Sequence, residues 1–354
     1  MKILITGNMG YIGPDVTARL RESYPGAVLV GYDTGFFAQH LTNAEIFPEC
    51  RVDVQHFGDV REFPPVLLEG INAVVHLAAV SNDPIGNRFE EVTLAVNHRA
   101  SVEIARQAKE AGVSSFVFAS SCSVYGFAEE GARTERSTVN PLTAYAKSKV
   151  FTERDLGELA DRNFKVTSLR FATACGMSPR LRLDLVLNDF VAGAIASRRI
   201  TILSDGTPWR PLINVKDMAS AIGWAVARDA ASGGDFLVVN AGSNEWNYQV
   251  RDLAAAVARV IPGVEVSINS DAQPDKRSYK VDFGLFRSLA PHAYPVYDIE
   301  RTVADLRDGL LAMGFNDQDF RNSRFMRLKV LEGLRSRGLL DEQLHWTFRS
   351  PTVA

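Results

Sequence analysis

Cysteine is scarce and unpatterned: Cys50, Cys122 and Cys175 are the whole complement of a 354-residue chain. An odd number at no metal-ligand spacing argues against a disulfide-stapled scaffold or a zinc site, so no metal is expected and a reducing, cytoplasmic setting is. Long hydrophobic runs are lacking too. The nearest, Ile71 to Val80, is interrupted by Asn72 and His76, so no membrane partner is expected. The opening Met1-Lys2-Ile3-Leu4-Ile5-Thr6-Gly7 carries one positive charge and a short apolar stretch before a glycine loop, which reads as a strand and not as a signal peptide. An excess of one charge is also missing. The net charge is −3 with both signs scattered, which argues against nucleic acid as a partner, because that affinity comes from a concentrated basic face. There is no internal repeat and no low-complexity tract.

Hydrophobic residues at 46% and charged residues at 23% are globular averages, and the length suits one large unit or two intimately joined ones. Strands are expected over Lys2–Thr6, Ala27–Tyr32, Ala73–Leu77, Ser115–Ala119 and Val166–Arg170. Helices are expected over Asp15–Ser23, Val92–Ala111 and Leu142–Leu159. This alternation predicts an α/β fold, a doubly wound parallel sheet with helices on both faces. Beyond about Ser178 the rhythm changes, with helices over Leu183–Ser197, Val215–Arg228 and Val250–Val260 and short strands at Ile200–Leu203 and Phe236–Val239. The division expected is a dinucleotide-binding domain over residues 1–178, a smaller α/β substrate lobe over 179–320 and a helical tail over 321–354, with Phe236–Asn240 returning to the main sheet. The Arg- and Leu-rich stretch Asn322 to Leu340 reads as a packed terminal helix with solvated charges, ahead of a partner-binding segment.

Gly7-Asn8-Met9-Gly10-Tyr11-Ile12-Gly13 lies between the first strand and the first helix. Gly7 permits a tight turn, Gly10 lets the backbone approach a pyrophosphate and Gly13 lets helix and strand pack closely. Met9, Tyr11 and Ile12 complete the loop, and the helix N-terminus offers its free N–H groups to phosphates. The second strand ends in Asp33, whose carboxylate suits two ribose hydroxyls and repels a 2′-phosphate, so NAD is expected over NADP. Asp59 and Val60 are expected beside the adenine, and Leu77-Ala78-Ala79 where small residues let the backbone touch the dinucleotide.

Tyr145 and Lys149 share one helical face. A phenol is too weak an acid for work at neutral pH, but a nearby ammonium and a positive nicotinamide ring would favour the phenolate. The cluster Ser120-Ser121-Cys122-Ser123-Val124-Tyr125-Gly126 directly follows a strand, at the end where parallel sheets bind ligands.

The glycine loop, the Ser-Ser-x-x-Val-Tyr-Gly loop and Tyr145-x-x-x-Lys149 together resemble the extended short-chain dehydrogenase/reductases, in their nucleotide-sugar epimerase/dehydratase branch. The resemblance covers roughly Met1 to Asp282. It implies a Rossmann-type fold, bound NAD, a nucleotide-diphosphate sugar as substrate and a homodimer. It also implies Tyr145 as acid/base, Lys149 as its partner and as a holder of the nicotinamide ribose, Ser121 as the catalytic hydroxyl and Asn97 near the cofactor. Ser81, Ser123, Thr173 and Asn188 become substrate contacts, and Arg210 and Arg277 become diphosphate clamps. Three departures stand out. Cys122 and Ser123 occupy the places where the family's dehydratases carry Asp-Glu, and Cys122 reads as an inert thiol ahead of a thiol acid. The family's Asn-Val-Tyr-Gly-Pro segment is Thr173-Ala174-Cys175-Gly176-Met177. Pro179-Arg180-Leu181-Arg182-Leu183-Asp184 suits either an anionic sugar or the solvation of a helix start. The function expected is a nucleotide-sugar epimerase, most simply at C4. The alternatives are a dehydrogenase or 4-ketoreductase with net cofactor turnover and, from another class, a non-catalytic dinucleotide sensor.

Overall fold

The computed structural model describes residues 1–128, 131–269, 272 and 278–348. Seven short, β-branched-rich segments form one sheet: β1 (Lys2–Thr6), β2 (Val28–Asp33), β3 (Val54–Phe57), β4 (Ala73–His76), β5 (Ser115–Ser121), β6 (Lys165–Phe171) and β7 (Phe236–Ala241). Their spatial order is β7-β6-β5-β4-β1-β2-β3, and every pairing is parallel. The fold is Rossmann-like, and the chain reverses direction across the sheet between β1 and β4, which opens a crevice at their C-terminal ends.

Alternation along β1 shows how the sequence builds two layers. Ile3 and Ile5 face one side and pack with Val16 and Leu20 of the helix Gly13–Ser23 and with Met218 and Ile222 of the helix Val215–Ala227. Leu4 faces the other side and packs with Ile104 and Ala108 of Ser101–Glu110 and Leu156 of Ala144–Leu159. A central strand sealed on both faces must be apolar throughout, as this one is.

The helix expected over Val92–Ala111 is interrupted. Glu90–Leu94 and Ser101–Glu110 are α-helical, but Ala95–Ala100 forms a π-helical stretch, a feature that recurs at functional sites. The helix expected to start at Leu142 starts at Ala144, because the Thr143 hydroxyl accepts a hydrogen bond from the Ala146 N–H (3.1 Å) and caps it.

Beyond residue 178 the chain does not stay in one place. Val215–Ala227 packs on the main sheet and Phe236–Ala241 is its edge strand. What stands over the crevice is a second core of Leu187, Val191, Leu253, Val257, Val303 and Leu306, carried by the helices Val186–Ser197, Val250–Val260 and Ile299–Ala312. It rests on a small sheet in which Trp209–Asn214 lies between Thr173–Cys175 and Asn247–Gln249. The tail folds back. Leu331 and Leu334 of the helix Arg327–Ser336, with Leu340 and Leu344, bury against Ile85, Phe89 and Val92. Among the described residues no helix is long and apolar enough to cross a membrane, and no cluster of three His, Cys, Asp or Glu side chains could hold a metal.

Candidate active site

A cavity of about 900 Å³ opens at the crevice and is lined from both lobes and the tail. Its floor is the glycine loop. Gly7 has φ +75°, and a Cβ there would lie 2.5 Å from the Ala78 nitrogen; a Cβ on Gly13 would lie 1.9 Å from the Asn8 carbonyl oxygen. Both positions therefore admit only hydrogen. Gly7, Gly10, Tyr11 and Ile12 line the cavity, as do Leu77, Ala78 and Ala79 opposite. Met9 and Gly13 do not face it. The Met9 side chain is buried, and its N–H donates to Asp33 (3.0 Å). The Tyr11 hydroxyl donates to the Gly176 carbonyl (2.5 Å), pinning the loop to the second lobe.

At the adenosine end the Asp33 carboxylate accepts from the N–H groups of Met9 and Gly35 (3.0 and 2.8 Å), one per oxygen. Each oxygen keeps acceptor capacity for a ribose hydroxyl. Burial pushes this carboxyl up, and the two backbone donors oppose the shift. Asp59 and Val60 line the same end. Asp59 is held by Arg61 at 2.5 Å, and the Arg61 guanidinium also donates to the Gln343 carbonyl (2.7 Å). The Trp346 indole N–H donates to the Thr34 carbonyl (2.8 Å), and its ring lies 5.4 Å from that of Phe36. The C-terminal segment thus straps the outer edge of the pocket.

At the opposite end Ser121 closes β5 and its oxygen accepts from the Ser123 N–H (3.1 Å). Ser123 Oγ is buried, lines the cavity and has no hydrogen-bond partner among the described residues. Cys122 is different. Its Sγ is buried against the Arg170 carbonyl (3.1 Å), and burial pushes its thiol far up, so it is inert. Lys149 is 3% exposed and donates to the Ala119 carbonyl (2.7 Å), with Nζ 5.6 Å from the centre of the Tyr145 ring. The expectation that this ammonium and a nicotinamide ring together favour the phenolate meets an opposing effect of burial. Burial pushes Tyr145 up to about 12, opposed by the Ser121 hydroxyl and Arg182, and burial brings Lys149 down to about 7. Desolvation is the largest influence on both groups, and a cation beside the phenol would favour its ionised form.

The Lys149 shift has a consequence for stability. Below about pH 7 the folded and unfolded chains both hold this proton, and the full burial cost applies. Between about 7 and the ordinary 10.5 only the unfolded chain holds it, so the group's contribution to stability rises with pH through that window. Lys149→Met should raise the melting temperature of the cofactor-free protein at pH 6, with the gain fading by pH 10. Thermal scans across that range measure it.

Several residues read as ligand contacts serve the framework. Asn97 is fully buried in the π-helical stretch. Its Oδ1 accepts from the Val80 N–H (2.7 Å), and its Nδ2 donates to the Val80 carbonyl (2.9 Å) and to Ser148 (3.3 Å). It shapes the cavity wall through Val80 and does not itself line the cavity. Asn97→Ala should cost about 2–4 kcal/mol in denaturant unfolding, because two backbone groups lose their partner. Asn188 is likewise corrected. It is fully buried between the Gly176 N–H, the Arg182 carbonyl and the Tyr11 hydroxyl. Ser81, Thr173 and Arg210 do line the cavity, with Ser81 accepting from Arg182 (2.9 Å) and Arg210 donating to the Trp209 carbonyl (2.9 Å). Arg277 lies outside the described residues. Sequence reasoning missed Phe36, Phe37, Asn82, Leu331, Leu344 and Arg327, all on the wall. Asn82-Asp83-Pro84 did carry a legible signal, since Asn82 caps a helix with proline in its first turn.

A parallel-sheet crevice floored by a glycine loop, with a half-buried tyrosine and a buried lysine one helical turn apart, defines a nicotinamide-dependent enzyme of the short-chain dehydrogenase type. The model of the NAD dependent epimerase/dehydratase family matches residues 3–242, more than half of the chain, which belongs to that family. Its similarity to an uncharacterized UDP-glucose epimerase, YtcB, of Bacillus subtilis is 29% identity over 63% of this chain and 71% of that protein. A UDP-glucuronic acid decarboxylase of Arabidopsis thaliana is 27% identical over 93% of this chain and 91% of its own length. Among solved structures, MoeE5 in complex with UDP-glucose and NAD superposes with a TM-score of 0.73 at 26% identity, covering 88% of this chain and 99% of that one. NAD is the cofactor, and the close-packed glycines and the half-satisfied Asp33 carboxylate fit it.

Proposed function

We propose that this enzyme is a nucleotide-sugar 4-epimerase that cycles its NAD without net consumption. The observation that carries the reading is the strap of Arg61, Gln343, Trp346 and Thr34 across the adenosine end of the pocket. An enzyme that exchanges its cofactor every turnover needs that edge open, whereas one that restores it within the cycle benefits from closing it. The UDP-sugars named for its relatives and for MoeE5 support a uridine-diphosphate sugar as substrate. The buried thiol of Cys122 supports epimerisation over dehydration, because no acid stands where a dehydratase protonates its leaving group.

In this reading Tyr145 takes the proton of the sugar 4-hydroxyl and later returns it, with the Ser121 hydroxyl hydrogen-bonding the same oxygen. Lys149 holds the nicotinamide ribose, and the unpartnered Ser123 hydroxyl receives a sugar hydroxyl. Arg210 meets the diphosphate as a planar fork. Bound NAD would supply the acceptor and donor of the C4 hydrogen. Assembly as a homodimer through Ser101–Glu110 and Ala144–Leu159 is part of the proposal, and sedimentation equilibrium of the full chain measures it.

The test is incubation of the purified enzyme with UDP-sugars in deuterated water. The expected outcome is a C4-inverted product without deuterium on carbon and no accumulation of NADH. Stoichiometric NADH would instead support the dehydrogenase reading, and deuterium on carbon a dehydratase or decarboxylase.

A further inference from the structure

Three arginines lie buried together at the junction of the crevice, the second lobe and the tail: Arg180, fully buried, Arg182, 6% exposed, and Arg327, 2% exposed. Two have a carboxylate. Arg180 forms a two-pronged pair with Glu49 (2.7 and 3.1 Å), and Arg182 one with Asp184 (2.5 and 2.8 Å). Among the described residues Arg327 has none. Its Nη2 donates to the Arg180 carbonyl (2.9 Å), its guanidinium lies 4.1 Å from the centre of the Phe37 ring, and its buried Nη1 has no partner among them. His40, on the loop that carries Phe37, is brought down to about 4 by burial and by Arg327, Arg324 and Arg180, so it adds no compensating charge.

A buried guanidinium without an anion is costly and persists where a ligand supplies the missing charge. Arg327 lines the cavity together with Gly10, Tyr11, Ile12, Asp33 and Phe37. Its contacts bracket its position: the Phe37 ring (4.1 Å) follows Asp33 at the adenosine-ribose end, and the Arg180 carbonyl it donates to (2.9 Å) precedes Arg182, whose guanidinium meets Ser81 (2.9 Å) on the cavity wall. Between those ends of a bound dinucleotide lies its pyrophosphate. We propose that Arg327, delivered by the C-terminal helix from outside the family's matched region, is the counter-cation of the NAD pyrophosphate. The glycine loop then receives the phosphates from one side through backbone N–H groups, and Arg327 receives them from the other through a rigid fork pre-oriented on Phe37. Arg210 serves the other diphosphate, that of the substrate.

The experiment uses the full chain freed of dinucleotide, with Arg327→Met to remove the charge while keeping the apolar stem, and Arg327→Lys to keep charge without the fork. Calorimetric titration with NAD, ADP-ribose and UDP is paired with melting curves with and without NAD. For the Met variant, NAD and ADP-ribose affinities should fall about 30-fold or more while UDP affinity holds. Its ligand-free melting temperature should equal or exceed that of the parent, since an unpaired buried charge is gone, while the NAD-induced rise in melting temperature shrinks. The Lys variant should fall between the two. Unchanged NAD affinity in the Met variant overturns the proposal. So does a parallel loss of NAD and UDP with a lowered melting temperature, which would mark Arg327 as structural. Should the Met variant fail to fold, the Lys variant decides on the same ligands. None of these readouts depends on epimerisation, so failure here leaves the activity assignment standing, and the reverse.

Discussion

Tyr145→Phe should lower turnover by about 10²- to 10⁴-fold, the range associated with losing a positioned proton-transfer group, while retained NAD and the melting temperature stay at parent values. The phenyl ring keeps its packing, so a loss confined to turnover isolates the hydroxyl. The pH dependence adds a second readout. Without ligand the phenol stands at about 12, held there by burial, and Lys149, itself neutral above about 7, does little to bring it down. With the positive nicotinamide ring in place, the rising limb of kcat/KM against pH should fall well below 12, and it should vanish in the Phe variant. Steady-state rates between pH 5 and 10 on dinucleotide-loaded enzyme check both points. Parent-level turnover by the Phe variant would remove the phenol from the mechanism.

The glycine loop should separate folding from binding. Gly13→Ala places a methyl 1.9 Å from the Asn8 carbonyl oxygen and 2.4 Å from its carbon; Gly7→Ala places one 2.5 Å from the Ala78 nitrogen with φ at +75°. Both collide with backbone that cannot swing aside, so each should destabilise the chain by about 3 kcal/mol and abolish retained NAD. At Gly10 the nearest atom to an added Cβ is the Gly7 carbonyl oxygen at 3.2 Å. Gly10→Ala should therefore melt near the parent temperature while losing NAD by about tenfold or more, because its methyl stands where a phosphate approaches. Denaturant midpoints and the ratio of dinucleotide to protein after purification distinguish the two patterns.

Local chemistry was legible in the sequence and long-range closure was not. The glycine loop, Asp33, the serine cluster and the Tyr145/Lys149 pair each need only a strand end or one helical turn to be placed, and the structure brings all four to one cavity. Asn97 and Asn188 are placed as ligand contacts by the family resemblance alone, and in the structure backbone groups of Val80 and Gly176 engage them. The helical break at Ala95–Ala100 has no periodicity signal, since apolar spacing tolerates one extra residue in a turn. The closeness of Tyr145 and Lys149 can be read from spacing, whereas the desolvation that opposes their ionisation depends on everything packed around them. Arg327 was invisible as a site residue. Its neighbours Phe37, Arg180 and Asp33 are remote in sequence, and a single arginine in an Arg-rich amphipathic stretch looks like any solvated charge.

The strap across the adenosine edge also ties access to the pocket to the local stability of the tail. Gln343 and Trp346 bind back to Arg61 and Thr34 across 282 and 312 positions of sequence. Contacts of that kind are the ones lost when a peripheral segment opens locally. Fraying of the tail would therefore uncover the rim of the pocket while the parallel sheet beneath its floor stays folded.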